Sequence, residues 1–386
     1  MNLELSEELK EIQNLASEAA EKKLKPIRAK LDEEEKYPLE FVKELGRMGL
    51  LSIFVPEAYG GFGLGVTALS LVTEEISKVC LGASTAYAAN ALGAMPIILS
   101  GTEEQKKKYL PKIASGECLA AFGLTEAEAG SDAMAMKTRA VKEGDGYVLN
   151  GSKQFITNAG QADIYTVFAV TNPERGARGI SGFILEKGAP GFDFSKKEIK
   201  MGIRCSETRS LNFANCKVPA ENLLGGKEGW GAIMVLNTLN RSRIGVGAQG
   251  VGLAQGAFNE AMAYAKQRKQ FGQSIASFQA IQHKFADMAM LIESARALVY
   301  KAAWYADNSA EKDKIAKFGA MAKCFASDAA MKVAVEAVQI CGGIGYMRDF
   351  PVEKYMRDAK ILQIYEGTNE IQRNEIASIL IKESAK

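Results

Sequence analysis

The chain has 386 residues, 47% hydrophobic and 24% charged, an ordinary globular composition too long for one small core, so two or three domains are expected. With 48 basic and 46 acidic residues and a net charge of +2, it lacks the basic surplus that nucleic-acid binding needs. One histidine, His283, excludes a multi-histidine metal centre, and six dispersed cysteines with no CxxC pair argue for reduced thiols rather than a disulfide framework.

The opening stretch MNLELSEELKEIQ is charged and amphipathic, unlike a secretory signal. Leu9, Ile12, Leu15, Ala16 and Ala19 recur at helical spacing after Ser6, which predicts a helix capped by that serine. PLEFVKELGRMGLLSIFVP predicts a second helix with a proline near its start, and TALSLVTEEISKV repeats the pattern. The uncharged window 79–102 is long enough to span a bilayer. Its Gly, Ala, Ser and Thr content, with Asn90 and Pro96, instead predicts a buried helix ending near Pro96. GTEEQKKKYLPKIASGE predicts a capped surface helix.

The character changes near Cys118. YVLNGSKQFITNA, IYTVFAV, GISGFILEK and RSLNFANCKV are short runs rich in β-branched and aromatic residues, and Asn150-Gly151 is a hairpin signal. From Trp230 the pattern returns to long helices with short links, which suggests a four-helix bundle. Gly245, Gly247, Gly250, Gly252 and Gly256 weaken helix propensity and permit close helix approach. The expected fold is α+β, mainly α. An N-terminal helical domain spans 1–117, a middle β-barrel or sandwich domain 118–229, and a C-terminal four-helix bundle 230–386.

Five segments carry chemical possibilities, each beside a plainer one. In FGLTEAEAGSDAMA, Gly130 and Ser131 offer backbone N–H groups and a hydroxyl to an anion, and Thr125 can bond a heteroaromatic edge; a polar strand-to-loop crossing explains the same letters. In QFITNAG, Phe155 and Thr157 can stack on and bond a flat cofactor, or simply alternate in a half-buried strand. In RKQFGQSIASFQAIQ, Arg268 and Lys269 either complement a helix dipole or hold a pyrophosphate. Gly342-Gly343 is either a helix C-cap and turn or a close approach to a ligand. In ILQIYEGTNEIQR, Glu366 is either a solvated loop acid or a carboxylate kept in an apolar pocket as a base.

Together these segments resemble the acyl-CoA dehydrogenase family nearly end to end: GLTEAEAGSDAMA and QICGGIGYMRDFPVEKYMRD fit its two signatures, IYEGTNEIQR its catalytic segment, and RKQFG with FQAIQ its adenine-side motif. The second signature keeps the spacing of Gln339, Gly342, Gly343, Gly345, Lys354 and Asp358.

The resemblance implies a bound FAD. Phe122, Leu124, Thr125, Gly130 and Ser131 would hold the flavin ring and pyrophosphate. Phe155, Ile156 and Thr157 would lie beside the isoalloxazine. Arg268, Phe271, Gln279, Gln339, Gly342 and Gly343 would hold the adenine half across a subunit boundary, and Thr368 and Glu370 would reach the flavin after the base. Ser131, Asn240, Arg243, Tyr365 and Gly367 fall on the substrate side. By the same resemblance Ser84, Thr85, Tyr87, Ala88 and Leu92 would form the pocket floor, where Tyr87 would shorten the slot and Ala88 open it.

The implied chemistry is α,β-dehydrogenation of an acyl-CoA thioester, in which Glu366 takes the α-proton and the β-hydride goes to flavin N5. Electrons then pass to an electron-transferring flavoprotein. A homotetramer is implied, with no nucleic acid and no membrane span. A variation within the family places the base at the position of Ser242, which cannot serve as one, and Asn240 stands where many relatives carry Asp. Branched, cyclic or dicarboxylic substrates stay open. An oxygen-using oxidase and a non-catalytic binding protein are the rivals; the chain's end soon after the catalytic segment speaks against the oxidase, and the intact Glu366 against the binding protein. His283 reads as a packing or cofactor-edge residue. A bacterial cytoplasm is the expected location, or the mitochondrial matrix for a processed chain.

Overall fold

Ser6 opens the first helix as its spacing predicts: its hydroxyl oxygen accepts the Leu9 N–H at 3.3 Å. The structure is a computed structural model that describes residues 5–385, so residues 1–4 of the opening stretch lie outside the described residues. Six helices come first: α1 Glu7–Ala19, α2 Arg28–Glu33, α3 Leu39–Arg47, α4 Gly65–Val79, α5 Leu81–Ser100 and α6 Glu103–Ala114. Thr102 and Gln105 close a reciprocal capping box on α6. The Gln105 amide also donates to the carbonyls of Glu221 and Leu223, at 2.7 and 2.8 Å, fastening the helices to the sheet that follows. The window 79–102 is a buried helix, but α5 carries Pro96 inside it and runs on to Ser100. Among the described residues no helix is long and apolar enough to cross a membrane.

Seven strands then form one curled sheet: β1 Ala120–Gly123, β2 Arg139–Glu143, β3 Gly146–Thr157, β4 Ile164–Val170, β5 Ile180–Glu186, β6 Phe192–Phe194 and β7 Thr208–Pro219. The order is β1-β4-β2-β3-β7-β6, with β5 on β4. The hairpin expected at Asn150-Gly151 lies elsewhere. β2 turns into β3 at Gly144-Asp145, while Gly151 sits inside β3 at a register shift. A Cβ on Gly151 would come within 2.8 Å of Thr138, so the glycine serves a bulge rather than a turn.

Three long helices follow, α7 Gly231–Gln267, α8 Gln279–Asn308 and α9 Lys312–Cys341, with the short ribbon β8 Lys269–Gln270 and β9 Gln273–Ser274 between α7 and α8. The tail is not a fourth long helix. It breaks into α10 Val352–Leu362 and α11 Asn369–Ser384, and the break carries Glu366. Close approach accounts for four of the five α7 glycines. A Cβ on Gly252 or Gly256 would strike the α4 carbonyls of Glu74 and Lys78 at 2.2 and 2.1 Å, whereas one on Gly245 would meet nothing. The core therefore has two parts: one joins the N-terminal helices to the sheet, and the other fills the C-terminal bundle. Within α10, Lys354 and Asp358 form an ion pair at 2.5 Å. Asp358 also accepts the Ile203 N–H at 2.6 Å and so seats the sheet's long loop on α10.

Candidate active site

Four elements converge on one cleft: α5, the loop after β1 with the end of β3, the middle of α7, and the turn between α10 and α11. The cleft holds about 1020 Å³ of space not filled by protein atoms, its open mouth included. Phe122, Leu124, Thr125, Gly130, Ser131, Phe155, Ile156 and Thr157 all line it, facing Arg243, Tyr365, Glu366 and Gly367, with Thr85, Ala88 and Leu92 along α5.

The sheet side is shaped by backbone irregularity. β3 shifts register between Lys153 and Ile156, and Phe155 takes a φ of 59°. A bulge of this kind re-aims side chains, and it leaves the Phe155 ring exposed at the cleft. Beneath it, Lys153 Nζ donates to Glu126 Oε1 at 2.8 Å and to the Leu124 carbonyl at 3.0 Å. Glu126 also accepts the N–H groups of Lys137 and Thr138, which folds the 125–131 loop back onto the sheet. The two partners answer differently to burial. Burial pulls the Lys153 ammonium down to about 8. Burial also works to raise Glu126, but Lys153 and the N–H donors outweigh it and hold the carboxyl below its ordinary range. The geometry, with three donors on the carboxylate, favours the ionised pair at neutral pH.

Glu366 and Gly367 both lie at positive φ, 52° and 94°. The strained pair is held from three sides. Arg243 Nε donates to the Glu366 carbonyl at 3.1 Å. Gln372 Nε2 donates to the carbonyls of Glu366 and Gly367 at 3.2 and 3.0 Å. Lys323 Nζ donates to the Gly367 carbonyl at 2.7 Å and to Asn369 Oδ1 at 2.8 Å. A Cβ on Gly367 would stand 2.5 Å from Gln372 Nε2, so a glycine is needed there. Arg243 is itself paired with Glu375 and bonded to Asn240 Oδ1. The Glu366 carboxylate accepts the Ser242 hydroxyl at 2.5 Å. Although the residue keeps some surface open to the cleft, burial of the carboxyl raises its pKa; Ser242, Arg243 and Lys323 oppose the rise without cancelling it. Beside it, the Tyr365 hydroxyl donates to Gln249, whose amide reaches Thr85 at 3.4 Å.

Several expected site residues lie elsewhere. Tyr87 does not shorten the cleft: it is fully buried, and its hydroxyl donates to the Leu50 carbonyl at 3.0 Å. Ser84 likewise bonds within the core, to Thr73 and Ser77. Ala88 and Ala89 line the cleft, while Tyr87, about 100° round the helix from Ala88, turns into the core. Arg268, Phe271, Gln279, Gln339, Gly342 and Gly343 are exposed and outside the cleft. Thr368 caps α11 by accepting the Ile371 N–H, and Glu370 is exposed beside it. Asn240 touches Arg243 rather than the cleft. His283 is exposed on α8 and outside the cleft, so it does not pack within the chain's core. Sequence reasoning missed Lys323, Gln249 and Gln372. Lys323 left one signal, a lone charge in the small-residue run AMAKCFAS.

A helical front, a curled sheet and a helical bundle thus enclose one cleft, with a shielded carboxylate on a turn at positive φ. Models of the acyl-CoA dehydrogenase N-terminal, middle and C-terminal domains match residues 6–117, 121–216 and 227–381. The short-chain-specific acyl-CoA dehydrogenase of Clostridium acetobutylicum is 47% identical over 99% of this chain and 100% of its own. Butyryl-CoA dehydrogenase from Megasphaera elsdenii superposes with a TM-score of 0.96 at 46% identity, covering 99% and 100% of the two chains. A chain solved in work on the electron transferring flavoprotein of Acidaminococcus fermentans gives 0.97 at 50% identity, with 99% and 100% covered.

The chain belongs to the acyl-CoA dehydrogenase family and has acyl-CoA dehydrogenase activity. Its cofactor is FAD. The cleft fits that group: it presents an exposed aromatic ring at Phe155, apolar walls and two hydroxyls at Thr125 and Thr157. The Gly130 backbone is open, with no atom within 4 Å of where a Cβ would stand.

Proposed function

We propose that the enzyme converts a saturated acyl-CoA to the trans-2-enoyl-CoA, with Glu366 as the base that removes the α-proton. One observation carries this reading: among the described cleft-lining residues Glu366 alone is a carboxylate, and burial raises its pKa. A raised pKa makes the ionised form a stronger base, closer to the weakly acidic carbon it must deprotonate. FAD, when bound, supplies the two-electron acceptor for the substrate's β-hydrogen. The sheet-side residues Phe122, Leu124, Thr125, Gly130, Ser131, Phe155, Ile156 and Thr157 would hold its ring, and the exposed set from Arg268 to Gly343 would serve the adenine half of a neighbouring subunit. The Glu366 N–H is the protein donor we assign to the thioester carbonyl, where negative charge develops.

Short linear acyl groups are the favoured substrates. The relatives named above are short-chain and butyryl-CoA enzymes, and the polar trio Thr85, Gln249 and Tyr365 lies along the slot. Arg243, the one cation among the described lining residues, is already paired with Glu375, which disfavours a dicarboxylic acyl group. The electron acceptor is an electron-transferring flavoprotein, the assembly a homotetramer and the location a bacterial cytoplasm.

The test is Glu366→Gln. The FAD-loaded variant retains acyl-CoA binding, loses turnover by about 10²- to 10⁴-fold, and stops exchanging the substrate α-proton with D₂O. Unchanged turnover would refute the assignment of the base.

A further inference from the structure

Ser242 and Arg243 are consecutive on α7 and grip opposite ends of one residue. Arg243 bonds the Glu366 backbone carbonyl, and the Ser242 hydroxyl donates to carboxylate Oε2. The charged and titratable groups around this carboxyl come from three helices and the turn itself. Arg243 on α7 directs its donors to the Glu366 carbonyl, to Asn240 and to Glu375 of α11. Lys323 on α9 directs its ammonium to Gly367 and Asn369. Tyr365 turns its hydroxyl to Gln249. Both cations therefore act on the carboxylate through space, and among the described residues Ser242 is the side chain that hydrogen-bonds it. Ser242 does not line the cleft, so it reaches the base from behind.

We propose that Ser242 is a positioning residue for the base: its hydroxyl donates to the Glu366 carboxylate, favouring the ionised form and one orientation before substrate enters. The inference rests on Glu366 being the base. A donor to a carboxylate stabilises the anion and cannot bond the protonated acid equally well. Burial makes Glu366 basic, and Ser242 limits how far, so that the base stays ionised where the enzyme works. A serine at this position is thus neither an alternative base nor a vacant site, but a regulator of the base across the turn.

The experiment compares FAD-loaded wild-type enzyme with S242A, S242T and E366Q, using a saturated acyl-CoA and an artificial acceptor. In S242A the acidic limb of kcat/KM moves to higher pH by roughly one unit, the effect of losing one hydrogen bond to a charged group. On that limb the rate is about tenfold lower, with KM little changed. S242T, which keeps the donor, restores the limb. Infrared titration of the carboxyl band that is absent in E366Q shows the same upward shift without relying on turnover. An unmoved limb and band in S242A, with E366Q inactive, overturns the role of Ser242 alone. A folded S242T that behaves like S242A overturns it as well. Full turnover by E366Q overturns the base assignment and this proposal with it.

Discussion

The ammonium of Lys323, with no exposed surface, donates to the carbonyl oxygen of Gly367 at 2.7 Å, across 44 residues of chain. Burial draws its pKa down to about 8, against the pull of Glu366, and the geometry still presents it as a donor to two acceptors. Lys323→Met removes that donor and leaves the Gly367 carbonyl and Asn369 Oδ1 facing an apolar side chain. The expected cost is about 1–3 kcal/mol in denaturant unfolding. Because the turn carries Glu366, kcat is expected to fall more than KM rises. Wild-type kinetics in a folded variant would show that the clamp does not position the base.

Glu366 also makes stability depend on pH. Its folded pKa lies above the unfolded value of 4.5. Between those two values the folded state holds a proton that the unfolded state has released, so stability falls as pH rises. The destabilising effect of the ionised carboxylate is absent below the unfolded pKa and fully present above the raised one. Glu366→Gln should therefore melt at a higher temperature than wild type at pH 7, with the gap closing towards pH 4.5. Thermal scans of both proteins across that range decide it, and a gap that widens on acidification contradicts the assigned direction.

Tyr87 is a core residue, and Tyr87→Phe tests that placement. Losing the bond to the Leu50 carbonyl is expected to cost about 1 kcal/mol. The preference among acyl-CoA chain lengths should not change, since the ring lies outside the cleft. A shifted chain-length profile would return Tyr87 to the substrate pocket.

Much of the frame was legible in the residues. Ser6 and Thr102 start helices where their hydroxyls meet free N–H groups, because capping is local and needs no tertiary contact. The family resemblance grouped the residues around Gly130 and Phe155 on one lining, and they line one cleft. The errors share a cause. Asn150-Gly151 has turn chemistry, yet β7 pairs along the whole of β3 and converts it to a bulge. Tyr87 and Ala88 look alike as candidates until α5 is rotated against its neighbours. The tail reads as a fourth long helix, yet the Glu366-Gly367 turn divides it because Arg243 and Lys323 hold that turn from distant helices and Gln372 closes it locally.

The amino-acid order by itself determined the helix–sheet–helix arrangement, the family and Glu366 as the acid to watch. Periodicity, caps and short motifs act over a few residues and survive without knowledge of contacts. Tertiary structure decided what kind of acid Glu366 is. Its hydroxyl donor and its arginine lie 124 and 123 residues away in sequence, and burial comes from helices that meet only in the folded chain. Proton affinity depends on desolvation and on charges within a few ångströms, and those are properties of packing.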